Sequence, residues 1–135
     1  MACLDTTILI DLASGNANRR KNAFNKLAEL VNRGDDIVTT RFNVAELYTG
    51  AARSANPQTE LKVINNLVKN ISILEFEDKA AWLFGRITSY LQIIGNPIGD
   101  MDVLIASTAM VSGHTIVTKN VSHFRNIPDL IVETY

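Results

Sequence analysis

Short runs of β-branched and other apolar residues alternate along this chain with longer stretches in which apolar residues recur at helical spacing. Each run is bounded by turn-forming or charged residues and is short enough to be a buried strand. The predicted strands are 2–4, 37–39, 71–74, 115–118 and 130–132. Because strands separated by helices pair in parallel through crossover connections, the pattern predicts an α/β fold with a mainly parallel central sheet and helices on both faces. The 135 residues fit one such domain, with no linker or internal repeat.

The predicted helices begin at residues that cap helix N-termini and end at glycines or turns. The predicted starts are Asp5, Thr6 or Thr7 for a helix to about Leu12, Thr40 for 41–52, Asn56 before Pro57, Asp78 for the helix that Gly95 ends, and Asp100 for the helix that Gly113 ends. A further helix is predicted over 19–33. Its apolar residues Leu27, Leu30 and Val31 either pack inside or serve a partner.

The charge balance excludes a surface that attracts nucleic acid as a whole. Lys and Arg number 13 against 14 Asp and Glu, for a formal net charge of −1. Any RNA or DNA contact must therefore come from a local basic patch. The single cysteine, Cys3, excludes an internal disulfide, and its apolar surroundings predict a buried, unreactive thiol. No apolar run approaches a membrane span and the first residues lack a signal-peptide pattern, so we expect a cytoplasmic protein.

Isolated carboxylates at the ends of apolar segments are the main functional signal. Asp5 follows the first strand, and Asp100 and Asp102 precede the apolar stretch 103–106. A carboxylate in such a place is costly to bury unless a cation or a helix N-terminus stabilises it. Two positions on a helix differ by about 200° of rotation, so Asp100 and Asp102 cannot point the same way. We expect Asp100 to cap the helix and Asp102 to be the better metal ligand, while Asp5 is either a cap or a ligand.

Glu46 is a third candidate ligand. A Glu on a helix is most often solvated, and an exposed one is commonly paired with a cation three or four positions away. Here those positions hold Phe42, Asn43, Thr49 and Gly50, none of which is cationic. This neighbourhood favours the wall of a pocket over an exposed helix face.

Asp5 and the segment 118–120 each follow a predicted strand, and the carboxyl ends of parallel strands form the edge where ligands bind. A set of acids with no histidine selects hard cations, so Asp5, Glu46 and Asp102 predict a Mg²⁺ or Mn²⁺ site. Such an ion activates water and stabilises the charge that develops when a phosphodiester is cut.

Four segments in this order resemble the PIN-domain ribonucleases, and specifically the VapC toxins of bacterial and archaeal toxin–antitoxin pairs. They are Leu4-Asp5-Thr6-Thr7-Ile8-Leu9-Ile10, then Asn43-Val44-Ala45-Glu46-Leu47 with Gly50-Ala51, then 98–106, and finally 115–124 with Ile127-Pro128-Asp129-Leu130. The resemblance runs nearly end to end and implies a Rossmann-like PIN domain with Mg²⁺- or Mn²⁺-dependent endoribonuclease activity. It also implies a homodimer and a complex with a small VapB-type antitoxin.

Carried over by position, Asp5, Glu46 and Asp102 match the catalytic, metal-binding acids of the family. The fourth family position falls within 118–120, where Asn120 offers only a neutral amide oxygen. This departure predicts one ordered ion, or a second that arrives with the substrate phosphate. The residues expected to assist are Asp100, as a substitute for the missing charge, and Thr6, Thr118 and Asn120.

Cations near these segments either contact RNA or are simply solvated. The candidates are Arg19, Arg20, Lys21, Arg41, Arg53, Lys119 and Arg125. The three at 19–21 oppose the dipole of the helix that they begin, which suggests that phosphate binding or another contact retains them. We expect His114 and His123 to take no part in the chemistry, and Trp82 and Tyr90 to pack against neighbouring helices.

Two other function classes remain open from the residues alone. A receiver-like phosphotransfer module would use Asp5 as the phosphorylated group and Lys119 as its late lysine, but would leave Glu46 and Asp102 without a role. A catalytically silent PIN-like binding module is the other alternative, because one fold hosts many functions. An EDTA-sensitive nuclease assay and labelling with acetyl phosphate discriminate among the three.

Overall fold

The sheet is the part of the fold that positions everything else. The computed structural model describes residues 1–135. Its five strands are β1 (Ala2–Leu4), β2 (Ile37–Thr40), β3 (Ser72–Leu74), β4 (Thr115–Val117) and β5 (Val132–Glu133), in the order β3-β2-β1-β4-β5. All neighbouring strands pair in parallel, with Ala2 opposite both Ile37 and Thr115. The predicted α/β fold with a mainly parallel sheet is confirmed.

Seven helices connect the strands. They are α1 (Thr6–Leu12), α2 (Ala17–Asn32), α3 (Arg41–Arg53), α4 (Pro57–Val68), α5 (Asp78–Ile93), α6 (Asp100–Val111) and α7 (Val121–Phe124). Helix α7 was not predicted from the sequence, because four residues are too few to establish a helical apolar period. None of the helices combines the length and the hydrophobicity that a membrane crossing requires.

Successive side chains of a strand point to opposite faces of the sheet, and two separate cores result. Ala2 and Leu4 face the core that α1 to α4 cover, whereas Cys3 packs in the core beneath α5 and α6. Cys3 is fully buried, as predicted, and burial, followed by repulsion from Asp5, raises the pKa of its thiol. Helices therefore cover both faces, as the sequence pattern required.

The strand order reverses direction at β1. The chain moves outward from β1 to β2 and β3, and then returns to form β4 and β5 on the other side. In such sheets the crevice beyond the carboxyl ends of the strands at the reversal is the usual ligand site. The N–H of Asp5 donates to the carbonyl of Val117 at 3.0 Å, so the ends of β1 and β4 meet at this point.

Two predicted helix caps are wrong by one residue. Glu77 and Gly99, rather than Asp78 and Asp100, occupy the N-cap positions of α5 and α6, and neither N-cap makes a side-chain hydrogen bond. Both aspartates lie instead in the first turn of their helices, where the positive end of the helix dipole stabilises a carboxylate without a capping hydrogen bond.

The expectation that Trp82 and Tyr90 pack against neighbouring helices is also wrong. Helix α5 buries the face that carries Ala80, Ile87 and Leu91. Trp82 lies on the opposite side and is 64% exposed, and Tyr90 lies at the flank of the buried face and is 44% exposed. On α2, Leu30 is fully buried, so of the two alternatives, packing inside or serving a partner, Leu30 packs inside.

Candidate active site

Asp5 occupies the N-cap position of α1 but does not cap it, because its side chain makes no hydrogen bond to that helix. It is 4% exposed. The Nδ2 group of Asn43 donates to Oδ1 at 2.9 Å, and the hydroxyl of Thr118 donates to Oδ2 at 2.7 Å. Both donors are neutral, so Asp5 is oriented without being paired to a cation.

Asn43, which the sequence analysis did not name as a site residue, connects this carboxylate to the start of α3. The backbone N–H of Asn43 donates to the hydroxyl of Thr40 at 3.2 Å, and Oδ1 of Asn43 accepts from the backbone N–H of Thr40 at 3.3 Å and from its hydroxyl at 2.7 Å. This reciprocal capping box fixes the rotamer of a fully buried side chain. Its Nδ2 group then donates both to Asp5 and, at 3.0 Å, to the hydroxyl of Thr6.

Glu46 lies one turn after Asn43 on α3 and points to the same side. Its Oε1 accepts from the hydroxyl of Thr6 at 2.6 Å. Burial, followed by repulsion from Asp5 and Asp102, raises the pKa of Glu46, even though the Thr6 bond acts in the other direction. The predicted pocket wall is therefore confirmed for this residue.

Asp102 approaches from the first turn of α6 and meets a partner that the sequence analysis had set aside. The Nδ1 atom of His123, on α7, lies 3.1 Å from Oδ2 of Asp102. The short helix α7 directs the His123 ring at this carboxylate, so His123 lies at the site, and its expected lack of a part in the chemistry stays a prediction. Burial and then repulsion from Asp5 raise the pKa of Asp102, although His123 lowers it.

These side chains line one open pocket of about 390 Å³. The lining residues are Asp5, Thr6, Thr7, Ile10, Glu46, Met101, Asp102, Asn120 and His123. Thr118 is buried behind Asp5. The three carboxylates come from the junction of β1 and α1, from α3 and from α6, so only the folded chain brings them together.

The donor set fits a hard divalent cation. It consists of oxygen atoms, Asp5 and Glu46 form no ion pair within the chain, and repulsion among the carboxylates contributes to the raised pKa values of Glu46 and Asp102. No group of three or more acids is gathered at metal-binding distance.

Asp100 does not join this pocket. It is exposed and borders a different, smaller cavity with Pro97 and Leu91. The rotation between positions 100 and 102 of the helix points their side chains apart, so the expected substitution of Asp100 for the missing fourth acid is wrong.

Three of the candidate RNA-binding cations are already paired. Arg41 lies 2.5 Å from Glu75, and Arg19 and Lys119 both bind the buried carboxylate of Asp11. The ion pair with Asp11 accounts for the presence of Arg19 at the start of α2, so no contact with a nucleic acid is needed to explain it. Among the cations at 19–21, Lys21 forms no ion pair and Arg20 donates to the carbonyl of Ser14 at 2.8 Å.

The comparison with known families matches residues 2–130 to the PIN domain. A protein named ribonuclease VapC2 from Haemophilus influenzae is 32% identical over 98% of this chain and 96% of its own length. The chain belongs to the VapC branch of the PIN-domain family. A VapC of Shigella flexneri, named a tRNA(fMet)-specific endonuclease, is 31% identical over the same shares of the two chains.

The PIN-domain assignment also agrees with a solved structure. That structure is VapBC2 from Rickettsia felis bound to a DNA fragment from its promoter, and the matching chain has a TM-score of 0.89 at 27% identity, with 99% of this chain and 98% of that chain covered. The receiver-like alternative fails on family membership and on geometry, because the Lys119 ammonium binds Asp11 and not Asp5.

Proposed function

We propose that this chain is an endoribonuclease that requires Mg²⁺ or Mn²⁺ and hydrolyses RNA phosphodiester bonds in the Asp5 pocket. One observation supports this most directly: Asp5, Glu46 and Asp102 come from three distant parts of the chain and line the same pocket. Carboxylates that repel one another are retained at a cost to folding, and a bound divalent cation reverses that cost. The VapC relatives carry ribonuclease or endonuclease names.

Asp5, Glu46 and Asp102 would hold the ion, and the polar residues around them set their orientation. A divalent ion bound here supplies an acidified water and neutralises charge on the scissile phosphate. Thr6 orients Glu46, and Asn43 and Thr118 orient Asp5 through one hydrogen bond to each oxygen. Asn120, at the pocket edge, offers an amide that can hydrogen-bond a water molecule or a phosphate oxygen. In this arrangement Asn120, at the fourth family position, contributes a neutral amide and no negative charge.

We further propose that the protein is the toxin of a toxin–antitoxin pair, acts in the cytoplasm, where its substrate is found, and binds a VapB-like antitoxin. The structural relative from Rickettsia felis is a VapBC complex. Large apolar side chains on two helices remain exposed and are available to partners, a second copy of the chain among them. They are Phe24 and Val31 on α2, and Trp82, Tyr90 and Ile93 on α5.

The test is cleavage of defined RNA by the purified chain. Initiator transfer RNA is the first substrate, because one relative is named for it, and total RNA is the second. We expect cleavage with Mg²⁺ or Mn²⁺ and none with EDTA. The Asp5→Asn and Asp102→Asn variants should retain the fold by circular dichroism and lose activity by roughly 100-fold or more.

Asp78→Asn is the matched control, since Asp78 also lies in the first turn of a helix but outside the pocket. It should cleave at the wild-type rate. Cleavage that resists EDTA, or full activity of either pocket variant, would show that the assignment is wrong. If the wild-type chain cuts no RNA, the silent binding module becomes the better description. Co-expression with a VapB-type protein, if the adjacent gene encodes one, tests the antitoxin proposal, which a failure to co-purify would contradict.

A further inference from the structure

Asp11 is a buried carboxylate beside the pocket that the proposed chemistry does not use. Its side chain is 3% exposed, and both of its oxygens are occupied by cations or hydroxyls. Arg19 donates to Oδ1 through Nε at 2.9 Å and through Nη2 at 2.7 Å. Oδ2 receives the Lys119 ammonium at 2.5 Å and the Tyr135 hydroxyl at 2.8 Å. Three elements far apart in the sequence therefore meet on one aspartate.

This carboxylate remains ionised despite its burial. Burial favours the protonated form, but the hydrogen bonds from Lys119, Tyr135 and Arg19 outweigh it and hold the pKa of Asp11 below its ordinary value. Because a buried charge is costly to leave unpaired, the partners of Asp11 are held firmly in place.

Lys119 makes two contacts with the same face of α1. Its backbone N–H donates to the hydroxyl of Thr7 at 3.1 Å, while its ammonium binds Asp11. Thr7 and Asp11 are four residues apart, so their side chains lie one above the other on that helix. The main chain and the side chain of Lys119 are thus both tied to α1.

The neighbours of Lys119 are the two polar residues that the pocket takes from this part of the chain. Thr118 donates its hydroxyl to Asp5, and the N–H of Asn120 donates to the same hydroxyl at 2.9 Å. Asn120 itself lines the pocket. Any movement of Lys119 therefore moves the donor to Asp5 and the amide at the pocket edge together.

From these contacts we infer that Asp11 is a positioning residue for RNA cleavage, which acts through Lys119 to hold the segment 118–120 against the pocket. This inference rests on the proposed function for its activity readout, but not for its structural readout. In this inference the Lys119 ammonium is the ion-pair partner of Asp11 and does not contact an RNA phosphate. The energetic reason is that a misplacement of about 1 Å in a catalytic group can reduce the rate by about 100-fold.

The first experiment measures amide hydrogen exchange in the full chain. The amides of Lys119 and Asn120 report the clamped segment, and the amide of Ile116, bonded to the Ile131 carbonyl, reports β4 itself. In Asp11→Asn, exchange at Lys119 and Asn120 should quicken about tenfold or more relative to Ile116. The inference is overturned if the amides of Lys119 and Asn120 are not protected from exchange in the wild type. It is also overturned if the ratio of their exchange rates to that of Ile116 is unchanged in Asp11→Asn.

The second experiment separates positioning from RNA binding by steady-state cleavage kinetics. Lys119→Met breaks the link from its other end and leaves Asp11 with Arg19 and Tyr135, so it serves if Asp11→Asn fails to fold. Both variants should lower kcat roughly 10- to 100-fold with little change in KM, and Lys119→Arg, which can still reach Asp11, should recover most of the loss. An increase in KM with unchanged kcat would identify Lys119 as an RNA contact and overturn the inference.

Asp35→Asn is the control for a purely structural effect. Asp35 pairs with the Arg33 guanidinium at 2.6 Å and with the Met1 amino group at 3.1 Å, and it forms no bond to the segment 118–120. It should change stability without changing kcat or the exchange ratio, and an effect on kcat equal to that of Asp11→Asn overturns the inference. If the wild-type chain cleaves no RNA, the proposed function fails, and the exchange experiment alone decides the role of Asp11.

Discussion

The Nδ1 atom of His123 lies 3.1 Å from Oδ2 of Asp102, although one residue belongs to α7 and the other to α6. This contact makes His123 the one cationic partner that a pocket carboxylate has, and only when the imidazole is protonated. Asp5 and Glu46 are oriented by Asn43, Thr118 and Thr6 alone. The charge state of the pocket therefore depends on pH.

As the pH decreases, cleavage should begin to fall before the pH reaches the range in which ordinary carboxylates titrate. Burial and mutual repulsion raise the pKa of both Glu46 and Asp102, so these groups take up protons early as the pH falls and lose the charge that holds a cation. The rate should be measured against pH at two Mn²⁺ concentrations, and the midpoint should move to lower pH at the higher one. In His123→Asn, which removes a group that lowers the pKa of Asp102, the midpoint should rise. A profile that stays flat down to the ordinary carboxylate range would contradict the prediction.

Glu46→Gln should stabilise the chain in the presence of a chelator while it abolishes cleavage. The folded-state pKa of Glu46 lies above its ordinary value, so the folded chain binds more protons than the unfolded chain between the two. Stability is therefore lost as the pH rises through the folded-state pKa, and at neutral pH the ionised group is a net cost. Gln keeps the oxygen that accepts from Thr6 and removes the charge, so the Tm at pH 7 should rise.

The gain in Tm should vanish at acidic pH, where the wild-type Glu46 is already protonated. Glu60→Gln, an exposed first-turn residue of α4, is the control and should leave the Tm unchanged or slightly lower. Equal stability of Glu46→Gln and the wild type at every pH would mean that the pocket carries no electrostatic cost.

Asn43→Ala should reduce both stability and activity. The substitution removes one half of the capping box and the buried donor to Asp5 and Thr6. Losing a cap and leaving a buried carboxylate short of a hydrogen bond should cost about 2–3 kcal/mol, measured by urea denaturation. Asn66→Ala, at an exposed position of α4, should stay within about 0.5 kcal/mol of the wild type. A loss for Asn43→Ala as small as that of the control would rule out the bridging role.

Lys21→Gln should weaken RNA binding more than Arg41→Gln. The Arg41 guanidinium is already paired with Glu75, whereas Lys21 forms no ion pair. RNA binding should be measured with every variant on the Asp5→Asn background. The slope of log Kd against log salt concentration should decrease by the equivalent of about one phosphate contact for Lys21→Gln and by less for Arg41→Gln. Lys79→Gln, on α5, provides the control that should leave the salt dependence unchanged. Equal effects of all three variants would indicate binding without a defined basic patch.

Most of the fold was predictable because its signals are local. The strand–helix alternation, the Thr40 N-cap and the Asn56-Pro57 helix start depend on residues within a few positions of one another. Caps at Asp78 and Asp100 were misplaced by one residue, since an acid in the first turn and an acid at the N-cap look alike in a sequence. The exposure of Trp82 was missed because periodicity shows which residues share a helix face but not which face is covered.

The sequence by itself determined the five strands, the six longer helices and the isolated acids, Asp5, Glu46 and Asp102, that are candidates for a metal site. Only the tertiary structure decided that Asn43 and His123 support those acids, that Asp100 points elsewhere, and that Asp11 takes the charge of Lys119. The physical reason is the sequence separation over which each interaction acts. Capping and periodicity act over a few residues, whereas the partner of a buried carboxylate is set by how distant elements pack at the end of the sheet.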